Sequence, residues 1–215
     1  MLTIRLKDKK QEFLKLLLVG NKAGCSQLIR ELFENKIPFK HIYEEVLKSS
    51  LYDIGELWES NKISVGTEHL ASAIVESILN EGYSSIISSD KSQKKVLLCC
   101  VENEFHQIGI KMVGTMFESL GWDTFFLGTN MPTKDLIDFA KITSPDIISI
   151  SVSLYFHLPL LETLIENIRR EFPDTTILVG GLAFRHGGQE LITKYSNIIH
   201  LKDLNSIELF IHNYK

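Results

Sequence analysis

The spacing of apolar residues changes along the chain and divides it into two parts. Up to about residue 85 the apolar positions follow a helical period, with stripes over residues 12–19 and 25–33 separated by Gly20 and Asn21. A third stripe follows Pro38, which suits the first turn of a helix, and a fourth follows Ser64, a suitable N-cap. Four helices with short connections predict an antiparallel bundle over residues 1–85.

A polar stretch over residues 86–94 predicts a linker, and the pattern changes after it. Short apolar runs then alternate with helical stretches. We predict strands over residues 96–101, 124–127, 147–151, 176–179 and 198–200, and helices over 106–120, 133–143, 158–172, 187–195 and 206–214. This alternation predicts an α/β domain over residues 95–215: a five-stranded parallel sheet covered on both faces, in a doubly wound, flavodoxin-like (Rossmann-like) fold.

Composition narrows the functional classes. The formal charge of −4 provides no basic face for nucleic acid, and every apolar run is too short to span a bilayer. The three cysteines, Cys25, Cys99 and Cys100, lack metal-site spacing, and no signal peptide precedes them. We therefore expect a cytoplasmic protein that touches neither membrane nor nucleic acid directly.

The most informative segment is Glu104-Phe105-His106-Gln107-Ile108-Gly109, which directly follows the first predicted strand of the sheet. In open α/β sheets, ligands bind in the crevice at the carboxyl ends of the strands. His106 can offer one ring nitrogen to a metal while Glu104 bonds the other and fixes the tautomer. Gly109 allows a ligand to approach the start of the helix closely. The alternative is a histidine that caps a helix.

Small residues end the other strands and would share the same edge of the sheet. The second strand is followed by Gly128-Thr129-Asn130, the third ends at Ser151-Val152-Ser153, and the fourth at Gly180-Gly181. Each of these loops alone is more typical of an ordinary turn than of a ligand site. Their coincidence with the histidine loop favours a site for a large ligand.

The histidine turn, the Ser151-x-Ser153-Leu154 loop and the Gly180-Gly181 turn together resemble the cobalamin-binding domain of corrinoid proteins. The usual pattern there is Asp-x-His-x-x-Gly, then Ser-x-Leu, then Gly-Gly. The resemblance implies that His106 is the lower axial ligand of cobalt, supported by Glu104 and Ser151. It also implies a pocket for the displaced dimethylbenzimidazole tail, lined by Gly109, Ser153, Gly180 and Gly181. Two positions differ from the pattern: Glu104 replaces aspartate, and Ser153 stands where leucine is expected.

The helical half carries a second resemblance, to cobalamin-dependent photoreceptor regulators, through Trp58 and the later pair Glu68-His69. It implies that the tryptophan covers the upper face of the corrin beside an adenosyl group, and that the pair closes the pocket. The alternative is a core tryptophan with a helix N-terminal glutamate. In the best-known photoreceptors a histidine directly follows the tryptophan, but Glu59 stands here, and His69 is a candidate substitute.

These resemblances lead to two functional hypotheses with cobalamin as the cofactor, adenosylcobalamin first and methylcobalamin second. The first is a sensory or regulatory protein that responds to light through a protein partner or self-association. Because the chain begins directly with the bundle, we expect no contact of its own with DNA. The second is a corrinoid carrier subunit of a methyltransferase system. A third reading is an α/β signalling domain without cofactor.

Neither leading hypothesis makes the chain an enzyme, since it lacks paired catalytic carboxylates and a nucleophile–base motif. The other histidines form no cluster at ligand spacing, and we assign them no metal role. His157 follows the third strand, and we expect it to be a solvated loop histidine.

Overall fold

The computed structural model describes residues 6–214, which divide into two compact units between Ile86 and Ile87. The first unit is helical. It contains α1 (Leu6–Leu18), α2 (Lys22–Glu34), α3 (Phe39–His41), a π-helical segment (Ile42–Lys48), α4 (Ser49–Glu59), α5 (Val65–Gly82) and a 3-10 turn (Tyr83–Ser85).

Local signals in the sequence explain where these helices begin. The Asn21 side chain accepts a hydrogen bond from the Gly24 N–H at 2.9 Å, and the Ser64 hydroxyl accepts one from Thr67 N–H at 3.2 Å. Both satisfy amide groups that a helix start leaves unpaired. The third predicted helix is continuous from α3 to α4, but a π-helical segment interrupts its regular period.

The second unit alternates strands with helices. Its elements are β1 (Lys95–Cys100), α6 (Ile108–Ser119), β2 (Asp123–Gly128), α7 (Thr133–Thr143), β3 (Ile147–Ser151), α8 (Leu158–Glu171), β4 (Thr176–Gly180), α9 (Gln189–Lys194), β5 (Ile198–His200) and α10 (Leu204–Asn213). Two 3-10 turns precede α8 and α9, at Tyr155–His157 and Leu182–Arg185.

All five strands pair in parallel in the order β2-β1-β3-β4-β5. Alternate residues of β1 face opposite sides: Leu97 and Cys99 belong to the apolar cluster that includes α7 and α8, whereas Leu98 packs against Gly114 of α6. The predicted helical part and doubly wound parallel sheet are confirmed. The strand order reverses between β1 and β3, and the carboxyl ends of these two strands border the crevice where such sheets bind ligands.

The predicted linker is hydrogen bonded to the second unit along part of its length. Ser88 N–H donates to the Glu118 carbonyl at 3.1 Å, and Ser92 N–H donates to the Gly121 carbonyl at 2.8 Å. These backbone bonds let a polar segment lie against the domain without burying unpaired amides. Within residues 6–214, no helix has the length and apolar character needed to cross a membrane.

Candidate functional site

The loop after β1 carries the histidine motif and is tied to the loop after β2. Glu104 N–H donates to the Val101 carbonyl at 3.1 Å, and Asn130 N–H donates to the Glu104 carbonyl at 2.9 Å. The Asn130 side chain in turn accepts from Asn103 N–H at 2.8 Å. Asn103 and Asn130 both adopt positive φ, at 64° and 49°, which asparagine tolerates better than most residues. Two asparagines thus fix the loop that presents Glu104.

The Glu104 side chain is fully buried and each of its carboxylate oxygens has its own set of donors. Oε1 accepts from His106 N–H at 3.1 Å and lies in short contact with His106 Nδ1. Oε2 accepts from Ser153 N–H at 2.8 Å and from Leu154 N–H at 3.0 Å. The His157 Nδ1 atom lies 3.2 Å from the same Oε2. One carboxylate therefore joins the loops that follow β1 and β3, at the reversal of strand order.

Hydrogen bonding keeps this carboxylate ionised despite its burial. Burial alone would raise the pKa of Glu104, but hydrogen bonds from the His106 ring and from the amides of Leu154, Ser153 and His106 lower that pKa to about 2. The nearby Cys100 thiol shows the opposite effect, because burial and the charge of Glu104 raise its pKa to about 12. At neutral pH the site thus holds a carboxylate and a protonated thiol.

The ring of His106 is held in place at one nitrogen and is nevertheless accessible. Its side chain is 58% exposed although its Glu104 partner is fully buried. An ionised carboxylate only accepts hydrogen bonds, so the Nδ1 atom of His106 is the donor and the lone pair of the neutral ring lies on Nε2. A carboxylate that holds one ring nitrogen in this way orients the other for a metal and makes it more basic.

The loop after β3 differs in detail from the expectation. Ser153 and Leu154 reach Glu104 through their backbone amides. Ser151 is buried at the end of β3, and among the described residues its side chain makes no hydrogen bond to Glu104, so its supporting role stays a prediction. The expectation for His157 was wrong: it is only 7% exposed and contacts Glu104, because the 3-10 turn before α8 directs it inward. The signal in the sequence that could have indicated this burial is the position of His157 directly before the helix predicted over residues 158–172.

The three glycines assigned to the site have different surroundings. A Cβ atom at Gly109 would meet nothing within 4 Å, and this exposed glycine lies in the first turn of α6. At Gly180 a Cβ would lie 3.3 Å from the Leu201 carbonyl oxygen. At Gly181, which has a φ of +112°, it would lie 2.1 Å from the Val152 carbonyl oxygen. The fold itself requires glycine at Gly181, whereas nothing in the fold explains Gly109.

We expect Gly109→Ala to separate ligand binding from folding. Alanine is the better helix former, so the ligand-free variant should be as stable as the parent or up to about 1 kcal/mol more stable. A methyl group that overpacks a bound ligand costs about 1–3 kcal/mol, so cobalamin should bind about tenfold more weakly or worse. Thermal unfolding and a cobalamin titration measure the two effects. Gly55→Ala in α4 is the control, since its Cβ also has open space in the other unit. Equal affinity in both variants would remove the ligand-clearance role of Gly109.

In the helical unit, Trp58 is 45% exposed near the end of α4, so the alternative of a core tryptophan is wrong. Glu68 and His69 lie in the first turns of α5. The Glu68 carboxylate accepts from the Ser72 hydroxyl at 2.9 Å and lies 3.6 Å from His69 Nε2, while the His69 side chain is 75% exposed. The three residues thus occupy the end of one helix and the start of the next, with surface available for a ligand.

The side chains at this site suit a metal that already carries most of its ligands before it binds to the protein. Among residues 6–214 there is no cluster of three His, Cys, Asp or Glu side chains that could hold a bare ion. One oriented and exposed imidazole would suit a cobalt corrinoid, because the macrocycle itself supplies four nitrogen ligands. The residues present therefore fit cobalamin.

Comparison with known proteins agrees with this chemistry. Residues 94–200 match a family described as B12 binding domain, and residues 10–81 match a second family with the same description. The chain is 28% identical over 162 residues to the HTH-type transcriptional repressor CarH of Myxococcus xanthus, a match that covers 74% of this chain and 53% of the repressor. It is 26% identical over 155 residues to dimethylamine corrinoid protein 3 of Methanosarcina acetivorans, covering 68% of this chain and 70% of that protein. The chain thus spans only about half the length of the repressor.

The fold is shared with a solved corrinoid protein. The structure of the Methanosarcina barkeri monomethylamine corrinoid protein superposes with a TM-score of 0.80 at 14% identity, over 93% of this chain and 95% of that one. At this identity the likeness concerns the fold.

Proposed function

Since this chain is a cobalamin-binding protein built from two kinds of B12 binding domain, we propose that His106 is its lower cobalt ligand and that it serves as a sensory or regulatory module. The observation that carries the ligand assignment is the Glu104–His106 pair at the reversal of strand order. We propose adenosylcobalamin as the physiological form.

The residues of this chain would bind and orient the cofactor. Glu104 holds the Nδ1 proton of His106, and Nε2 would then be available to cobalt. Gly109 keeps the start of α6 clear, and Ser153, Gly180 and Gly181 would line the pocket for the nucleotide tail. When bound, cobalamin supplies a weak cobalt–carbon bond that visible light can cleave.

The sensory hypothesis has support from the helical unit. Trp58 exposes a large apolar surface, and Glu68 and His69 offer polar groups near it in sequence. An indole suits the upper face of a corrin and its adenosyl group. The similarity to the Myxococcus repressor agrees with a regulatory role, exercised through a protein partner or a second copy of this chain.

The second candidate is a corrinoid carrier for methyl transfer, with methylcobalamin as the bound form. The similarity to the dimethylamine corrinoid protein supports it specifically. A carrier needs an upper face that partners can reach, whereas a sensor benefits from a covered one. Both candidates are binding proteins without a catalytic centre of their own.

The free state of the cysteines relates to the cellular compartment of the protein. Cys25, Cys99 and Cys100 are all buried free thiols. Free thiols persist in reducing surroundings. We therefore place the protein in the cytoplasm as part of the proposal.

The deciding experiment is an absorption spectrum of the protein with adenosylcobalamin, in the dark and after green light, with size-exclusion chromatography of both samples. A bound spectrum that changes on illumination together with the assembly size supports the sensor. Binding without a light-dependent change in assembly supports the carrier or a sensor of the cofactor itself. A failure to bind any cobalamin form would overturn the proposed function.

His106→Ala is expected to remove the protein-derived nitrogen from cobalt. The bound cofactor should then keep its own base or lose the lower ligand, with a shifted spectrum, and affinity should fall about tenfold or more. His186→Ala, which changes an exposed histidine of the same unit, is the matched control. An unchanged spectrum and affinity in His106→Ala would rule out the axial-ligand role.

A further inference from the structure

A second histidine shares the carboxylate of Glu104. His157 belongs to the 3-10 turn that leads into α8, and its ring lies edge-on to Phe156 with centroids 4.6 Å apart. The ring is buried, and its Nδ1 atom lies 3.2 Å from Glu104 Oε2. The two residues are far apart in sequence, so the contact joins the loop after β1 to the loop after β3. Neither the binding of a corrin nor the exposed ring of His106 requires a buried imidazole at this place.

The arrangement of donors gives His157 a defined effect. Since the ionised carboxylate accepts only, His157 Nδ1 is the donor, as is His106 Nδ1. The amides of Ser153 and Leu154 bond the same oxygen as His157. Three donors on Oε2 resist rotation of the carboxylate group, and Oε1 consequently stays directed at His106.

We infer that His157 is a positioning residue for the cobalt ligand, acting through Glu104 to keep the Nε2 atom of His106 directed at the metal. This inference rests on the proposed role of His106. The competing interpretation is a histidine that only fills the core at the start of α8. The two differ in what they predict for the cobalt–histidine bond, because a core histidine would affect folding alone.

The test measures how much of the bound cofactor has a histidine nitrogen on cobalt. Protein labelled with 15N in histidine is loaded with cobalamin reduced to the cobalt(II) state, and its electron paramagnetic resonance spectrum is recorded. A labelled histidine ligand splits the cobalt lines into doublets, whereas the unlabelled base of the cofactor splits them into triplets. The ratio of the two patterns gives the equilibrium between the histidine and the cofactor's own base.

Three variants are compared with the parent protein. His157→Leu removes the donor and is expected to shift the equilibrium about tenfold away from the histidine-bound form. His157→Asn keeps an amide donor near the position of Nδ1 and should restore most of the histidine-bound form. His200→Leu removes a half-buried imidazole of the same unit that stacks on Phe184 and does not contact Glu104, and it should match the parent. Thermal unfolding of the ligand-free proteins records any effect on folding.

The outcomes separate this inference from the proposed function. Doublets in the parent and an unchanged ratio in His157→Leu would overturn the inference, even if the variant melts at a lower temperature. Triplets alone in the parent, or no binding, would overturn the role of His106 and this inference with it. If His157→Leu does not fold, His157→Asn and His157→Gln are compared. If the doublet is lost in His157→Gln but kept in His157→Asn, the result supports a positioning role for His157. If both variants have the same ratio as the parent, the result contradicts that role.

Discussion

Replacing Glu104 with leucine is expected to lower the free energy of unfolding of the second unit by about 3–5 kcal/mol. The substitution leaves the amides of Ser153 and Leu154 and the ring of His157 without their acceptor in a buried place. An unsatisfied buried donor costs about 1–3 kcal/mol, so the loss of several exceeds the gain from a buried apolar side chain. The effect on stability arises whether or not a ligand is bound.

Trp122 provides the measurement for this variant. It is the buried tryptophan of the second unit, whereas Trp58 lies in the helical unit and is half exposed. Denaturant unfolding followed by fluorescence in a Trp58→Phe background therefore reports on the unit that contains Glu104. The matched control is Glu102→Leu, an exposed carboxylate in the same loop that should change stability by less than about 0.5 kcal/mol.

Glu104→Gln adds a second comparison. Glutamine has the size of glutamate and keeps one acceptor oxygen. Its amide nitrogen is a donor, however, and would face the hydrogen-bond donors that surround one of the two Glu104 oxygens. The expected order of stability is parent, then glutamine, then leucine. A leucine variant as stable as the parent would mean that the carboxylate does not organise the two loops.

Gly181→Ala is expected to destabilise the second unit by about 3–5 kcal/mol or to prevent its folding. Gly181 has a φ of +112°, a region that residues with a Cβ rarely adopt, and the added carbon would lie 2.1 Å from the Val152 carbonyl oxygen. That oxygen is a backbone atom, so it cannot move aside as the end of a side chain could. It also accepts a hydrogen bond from Ala183 N–H at 3.3 Å, which holds it in place.

Gly180→Ala is the matched control for Gly181→Ala. Its Cβ would lie 3.3 Å from the Leu201 carbonyl oxygen, a tight approach without the backbone constraint. We expect this variant to fold with a smaller loss, about 1 kcal/mol. The same fluorescence measurement of Trp122 compares the two. Equal stability of both variants would show that the β4 turn relaxes and that the close approach to Val152 is not decisive.

These glycines show why a motif alone does not separate structure from binding. In the sequence, Gly109 and Gly181 have the same assignment, since both belong to loops at the carboxyl ends of strands. In the structure, Gly181 has a steric reason within the fold and Gly109 has none. The fold therefore explains Gly181, whereas the assignment of Gly109 to the ligand site stays a prediction.

Periodicity of apolar residues determined much of this protein from the sequence alone. The helical stripes predicted the bundle, and the short apolar runs predicted five parallel strands, of which β3 and β5 have the predicted bounds. Such patterns reflect burial of one face or both faces of an element, which the order of residues encodes locally. The parallel sheet in turn implied that His106, Ser153 and Gly180 lie at one edge.

The tertiary structure decided what the local pattern does not contain. The burial of Glu104 and its contact with His157 depend on atoms from the loop after β3, which is distant in sequence. A polar residue in a loop is exposed by default, and its burial becomes favourable only when distant amides and rings supply hydrogen bonds. The sequence therefore determined the edge of the sheet at which we propose the ligand site, whereas the packing of the loops after β1 and β3 determined which side chains hold His106.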